Sequence, residues 1–254
     1  MSETQEREKK RARVKDSEKP EVVDETPGTW ILAVDVEVSG MSLIDNFVIE
    51  FAAVVQRVGA TEPFSEFYRY LGRDPPPNKK WGQMTLRGFW LNPEKGVDGK
   101  TPFAVLEERC KDLKPVPRLE ATRAFIDWAR VMRMRIPVAD RVIVVSDTAG
   151  FDYAWLSMLM SELKSADDDS DCNLDHLFCE YQPVCDMSSF YFGVAKHLGV
   201  HGAATTALDA LNVVGFPEWV EKHATGKHHP LDDAKCIAAK ASFLVSLVKN
   251  GASI

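Results

Sequence analysis

Trp30-Ile31-Leu32-Ala33-Val34-Asp35-Val36-Glu37 is the stretch on which the reading of this chain turns. Its first five residues are apolar without alternation, the pattern of a strand covered on both faces and therefore central in a sheet. It ends in two acids spaced two apart. On a strand that spacing puts both side chains on one face, so Asp35 and Glu37 project together. Two carboxylates on a buried strand repel each other and lose hydration, which is costly unless a cation sits between them. A hard divalent ion such as Mg²⁺ supplies that charge and takes oxygen ligands.

Further strand-like runs follow at Phe47–Val58 and Phe64–Leu71, joined by the short connections Ser39–Asn46 and Gly59–Pro63. That spacing predicts an antiparallel meander. Residues 72–102 break the pattern with Pro75-Pro76-Pro77, Gly82, Gly88, Gly96 and Gly99, and read as an insertion with one helical turn around Met84–Leu91. Helical spacing returns over Phe103–Leu113 and Leu119–Met134, with Leu119, Phe125, Ile126, Ala129 and Met132 on one face of the second. Arg141–Ser146 reads as a fourth strand, Phe151–Leu163 as a helix, and Val184–Met187 as a fifth strand. Helices around Ser188–Leu198 and Leu231–Val248 complete the order. A meander feeding right-handed crossovers is a mixed α/β arrangement.

The chain has 254 residues, of which 45% are hydrophobic, enough for one large core or two small ones. Residues 29–254 are expected to form one domain. Residues 1–28 are dense in charge and nearly free of apolar side chains, so they are expected to be a disordered tail. Within that tail Arg7–Lys15 is locally basic, either a solvated run or an import or RNA-contacting patch. Apolar runs are too short to span a bilayer, and the first residues are charged, unlike a secretory leader. The five cysteines, at 110, 172, 179, 185 and 236, have no C-x-x-C spacing and read as free thiols. An intracellular protein, cytoplasmic or nuclear, without a membrane partner is expected. Its net charge of −7 disfavours a protein that coats duplex DNA, and leaves open an enzyme that meets phosphates through bound metal.

Two more motifs carry chemistry. In Val144-Val145-Ser146-Asp147-Thr148-Ala149-Gly150-Phe151-Asp152 a buried strand runs into a small-residue turn and a helix start. Spacing alone leaves Asp147 and Asp152 equally able to cap that helix or to bind a ligand. In His228-His229-Pro230-Leu231-Asp232-Asp233-Ala234 a histidine precedes an aspartate by five residues beside a helix start. A histidine so placed suits proton transfer near neutrality, although both histidines also fit a polar loop and Asp232 or Asp233 a helix start.

Together these pieces resemble the DEDDh 3′–5′ exonuclease family, including its ribonuclease T- and oligoribonuclease-like members and its phage and viral exoribonuclease-like members. Asp35-Val36-Glu37-Val38-Ser39-Gly40 is similar to the family's Asp-x-Glu-x-(Thr/Ser)-Gly opening, and Ile49-Glu50-Phe51-Ala52-Ala53-Val54 to its second strand. Phe151-Asp152 matches the middle motif, and His228-x₄-Asp233-Ala234 the last. The resemblance implies a ribonuclease-H-like fold: a five-stranded mixed sheet, three antiparallel strands followed by parallel crossovers, flanked by helices. It implies that Asp35, Glu37, Asp152 and Asp233 bind two Mg²⁺ or Mn²⁺ ions about 4 Å apart, with His228 as the general base. Single-stranded RNA or DNA 3′ ends would be the partners, RNA favoured, with nucleoside 5′-monophosphates as products. The alternatives are a DNA-directed proofreading or repair enzyme and a non-catalytic relative. Many such relatives are dimers, so the resemblance allows a homodimer among the partners and leaves the oligomeric state open.

The chain departs from the family in places. Thr148 stands where the middle motif has asparagine, Asp147 where histidine or a small polar residue is frequent, and the 72–102 insertion is long. By resemblance, Gly40 and Met41 would meet the 3′-terminal base, unless Met41 fills the core. Trp81, Phe89 and Trp90 either stack on unpaired bases or anchor the insertion. Asp167–Asp171 reads as a solvated run, and Asp186 as structural.

Overall fold

The computed structural model describes residues 27–167, 184–197, 216–222 and 228–249. Most of the tail at 1–28, all but the first residue of the acidic run at 167–171, Cys172 and Cys179 lie outside them. Five strands form one sheet in the order β3-β2-β1-β4-β5. They are β1 (Thr29–Val38), β2 (Val48–Arg57), β3 (Ser65–Tyr70), β4 (Arg141–Ser146) and β5 (Cys185–Asp186). The first three pair antiparallel, and β4 and β5 add in parallel. This is the ribonuclease-H-like arrangement that the resemblance implied.

β1 lies between β2 and β4, which explains its unbroken apolar run. Trp30, Leu32, Val34, Val36 and Val38 face one core, built with α2 (Arg118–Arg135) and α3 (Ala149–Asp167). Ile31 and Ala33 face the other, built with α4 (Met187–His197) and α5 (Pro230–Lys249). Asp35 and Glu37 continue the row of Ile31 and Ala33, so the carboxylates lie on the α5 side of the sheet. Next to Glu37 the β1–β2 register slips, ending regular pairing at the site.

The buried stripe of α2 is Ala121, Thr122, Phe125, Ile126, Ala129 and Met132. Leu119, expected on that face, is exposed instead, and burial on this helix begins at Ala121. The 72–102 segment carries the short helical turn Gln83–Thr85, running into a π-helical Leu86–Trp90, and leads to α1 (Pro102–Cys110). It is pinned by a third cluster that includes Phe47, Ile49, Tyr70, Trp90 and Leu106. Trp90 is 1% exposed and donates its indole N–H to the Val38 carbonyl at 2.9 Å. It is therefore an anchor and withdrawn from the base-stacking residues, since a ring buried in that cluster has no face for a base.

Among the described residues Cys110, Cys185 and Cys236 are free thiols, and no helix is long and apolar enough to cross a membrane.

Candidate active site

Parallel strands β1 and β4 bring their carboxyl ends to the same edge of the sheet, and the chain turns there into α3. Asp152, in the first turn of α3, reaches this edge from one layer, and Asp233, in the first turn of α5, from the other. A cavity of about 650 Å³ opens between them. Its walls include Asp35, Glu37, Asp152, Asp233 and His228, residues from distant stretches of chain. Carboxylate oxygens of Asp35, Glu37 and Asp233 lie within 4.8 Å of one another. Asp152 lines the same cavity but stands outside that group of three.

Burial is the largest cause that holds the Asp35 and Glu37 carboxyls well above their ordinary range. Asp152 is the next cause for Asp35, and Glu50 for Glu37. Asp152 and Asp233 are each pushed up to about 6, again mainly by burial. Oxygen donors that are this reluctant to ionise together fit a hard divalent cation, which would supply the missing charge. The cavity wall holds six carboxylates against Lys95 and Lys240, so a phosphate would be repelled without such an ion.

These shifts fix the sign of a stability change. The folded, metal-free protein binds protons more tightly than the unfolded chain between about pH 4 and pH 6, so its stability falls as pH rises through that window. His229, whose pKa is lowered chiefly by burial, acts in the opposite direction but is one group against four carboxylates. Melting of the metal-free protein should accordingly occur at a higher temperature at pH 5 than at pH 7.5. Saturating Mg²⁺ or Mn²⁺ should raise the pH 7.5 value more than the pH 5 value. A metal-free protein that gains stability between those pH values would show that the carboxylates are not gathered.

The last motif separates its two histidines. Pro230 opens α5, a position that suits its missing N–H, and His229 is the residue before it. His229 accepts the Asp232 N–H on Nδ1 at 3.3 Å and stacks on Tyr68 at 5.2 Å between ring centroids. It is a helix cap. His228 adopts a left-handed backbone, φ 62°, and donates its N–H to Asp233 Oδ2 at 3.1 Å. Its ring meets Phe89 edge to face at 4.7 Å, and Nε2 lies 2.8 Å from the Lys95 carbonyl. A carbonyl only accepts, so this bond needs the proton on Nε2, and a neutral ring then carries its lone pair on Nδ1.

The start of α3 is met by an acceptor from outside the middle motif. Asp186 accepts the Ala149 N–H at the start of α3 and the Ser189 N–H at the start of α4, the structural role expected of it. Asp147 is exposed and lines the cavity. Asp152 is 4% exposed and takes the Thr148 N–H at 3.3 Å as well as facing the cavity. Met41 is 73% exposed, so it does not fill the core. Gly40 is required by crowding: a Cβ there would sit 2.3 Å from Asn46 Oδ1. Asn46 cannot yield, because its side chain accepts from Ser42 N–H and donates to the Lys80 carbonyl.

Sequence reading missed one group altogether. Glu50 is fully buried opposite Glu37 on β2, paired with Arg109 of α1 and taking the Tyr68 hydroxyl at 2.6 Å. Burial pushes the Glu50 carboxyl up, while Arg109 pulls it back. A glutamate inside an apolar strand run was the available signal.

At this sheet edge carboxylates from three chain segments meet a histidine, a donor set able to hold a divalent ion. No family model matches the chain, and no curated protein does. Several solved structures are similar. A 3′-exonuclease with 3′-end specific recognition of histone mRNA stem-loop is 13% identical, with a TM-score of 0.48 over 89% of this chain and 84% of that one. E. coli Exonuclease I in complex with an oligonucleotide is 16% identical, TM-score 0.46, over 86% of this chain and 40% of that one. The nuclease domain of 3′hExo, a DEDDh family member bound to rAMP, is 15% identical, TM-score 0.42, over 87% and 92%.

Proposed function

We propose that this chain is a metal-dependent 3′–5′ exonuclease of the DEDDh type, acting on single-stranded nucleic acid and favouring RNA. The observation that carries the reading is the convergence of Asp35, Glu37 and Asp233 oxygens within 4.8 Å, in a cavity that Asp152 and His228 also line. The four carboxylates would hold two Mg²⁺ or Mn²⁺ ions, whose chemistry is to activate water and stabilise a departing 3′-oxygen. His228 would take the proton from the attacking water, help worth on the order of 10²–10⁴ in rate. Asp233 holds the His228 backbone in reach of the carboxylates through its N–H. Met41, exposed beyond Ser39-Gly40, and Phe89, half-buried against His228, would meet the terminal nucleotide. The preference for RNA follows the resemblance stated above.

Matched 5′-labelled RNA and DNA single strands, incubated with Mg²⁺, Mn²⁺ or chelator, test this directly. Stepwise shortening from the 3′ end is expected with metal alone, faster on RNA. Faster loss of DNA would move the reading to a DNA-directed enzyme. No shortening of either strand with any divalent ion would leave the non-catalytic alternative.

A further inference from the structure

The His228 backbone has two holders, Asp233 of its own motif and Arg109 of α1, which belongs to none. Its left-handed backbone is a conformation that L side chains enter at a cost and keep only when their surroundings impose it. On the amide side Asp233 takes the N–H, and on the carbonyl side Arg109 donates Nη1 to the His228 oxygen at 3.1 Å. The other arm of the same guanidinium donates Nη2 to Glu50 Oε1. Glu50 is itself fixed, being fully buried on β2, in register with Glu37 and bonded by Tyr68.

We propose that Arg109 is a positioning residue: by bridging Glu50 to the His228 carbonyl, it ties the chain ahead of α5 to the sheet and sets where the His228 ring stands relative to Asp35, Glu37 and Asp233. The reading of His228 as the base is the one proposed above.

A residue needed only to neutralise Glu50 would be expected to grip both carboxylate oxygens with its planar fork. Arg109 divides the fork instead, one arm to each partner, while Tyr68 takes the second Glu50 oxygen. Its Nε is buried with no hydrogen-bond partner among the described residues, a loss accepted in this orientation. Only a rigid, always-charged fork reaches two fixed acceptors on different elements; an ammonium group is a single point and cannot hold both in this geometry. Ties through charged donors are the stronger ones, so this bond is suited to keep an unfavourable backbone in place.

Two measurements test the link. In the first, Arg109→Lys keeps the charge beside Glu50 and removes the bridge. Its kcat on a single-stranded oligonucleotide should fall about 10–100-fold, the scale of a misplaced catalytic group, with KM changed less than about twofold. Introduced into a His228→Asn background, the same change should alter kcat by less than about twofold, because nothing is left to position. Effects that multiply in the double variant, or a loss expressed in KM alone, would overturn the proposal. The second needs no turnover. Glu50→Gln with Arg109→Met leaves no uncompensated buried charge and keeps an acceptor for Tyr68. In the metal-free double variant the His228 amide should exchange with solvent at least about tenfold faster, while amides of β1 and β2 do not change. An unchanged His228 amide would sink the positioning role. A wild-type protein without nuclease activity, combined with the faster exchange, would sink the proposed function and leave the bridge standing.

Discussion

Asp233→Asn should leave the protein folded, more stable without metal at pH 7.5, and close to inactive. Asparagine has the same shape and keeps an amide oxygen to accept the His228 N–H that Asp233 Oδ2 now takes at 3.1 Å. What it removes is charge. Burial, more than any neighbour, pushes Asp233 up to about 6, so at pH 7.5 the ionised group is held at a cost that the unfolded chain does not bear. One pKa unit corresponds to about 1.4 kcal/mol; discounted for partial solvent access, relief on the order of 1–2 kcal/mol follows. For a chain of this size that raises melting by roughly 3–6 °C. Activity moves the other way. Asp233 is one of the three groups whose oxygens lie within 4.8 Å, and an amide is a poor ligand for a hard cation. Metal-derived stabilisation of several kcal/mol, at about 1.4 kcal/mol per decade, makes a loss of about 10³ in kcat the expectation. The melting shift produced by Mn²⁺ should shrink in parallel. Thermal melts with and without metal, beside a strand-degradation assay, check all of this. A variant that loses stability and keeps its activity would show that Asp233 is a helix-start residue and nothing more.

Opposed signs of that kind separate a site from a scaffold, and they also explain what the sequence disclosed. Asp35 and Glu37 were legible because they interrupt an apolar run at a period of two, a conflict that burial alone cannot explain. The start of α5 was read at Leu231 from the apolar run that follows, one residue after the Pro230 at which the helix opens. Neither signal needs a distant residue. The features that escaped all depend on one. That Asp147 and Asp152 both line the cavity while the Ala149 N–H at the start of α3 is taken by Asp186, 34 or more positions away, cannot be read from their local spacing. Trp90 has the composition of a stacking residue, and only the Val38 carbonyl and the cluster around Phe47 show it to be an anchor. Leu119 falls on the apolar arc of α2, yet it is exposed, and periodicity alone does not say where along the arc burial begins. The Glu50–Arg109–Tyr68 group joins β2, α1 and β3, and periodicity within any one of them is blind to it.

The two neighbouring histidines give the second large effect, because their variants should fail in opposite ways. His228→Asn is the informative change at the first position, since asparagine tolerates a left-handed backbone and avoids a strain penalty. The ring lost is the one that lines the cavity with the carboxylates, so kcat should drop by about 10²–10⁴ while melting stays within about 2 °C of wild type. His229→Ala removes the side chain that accepts the Asp232 N–H and the ring stacked on Tyr68. A lost cap costs about 1 kcal/mol, or roughly 2–4 °C of melting here, and the stacked pair adds a similar amount. Nothing in that loss touches the cavity, so kcat should stay within about threefold. The expected pattern is therefore crossed: one variant inactive and stable, its neighbour active and less stable. Comparable losses of turnover in both would mean that the loop acts as a unit and that the ring at position 228 is not the base. A crossed pattern with the positions exchanged would require His229 to leave Tyr68 and enter the cavity, giving up its cap.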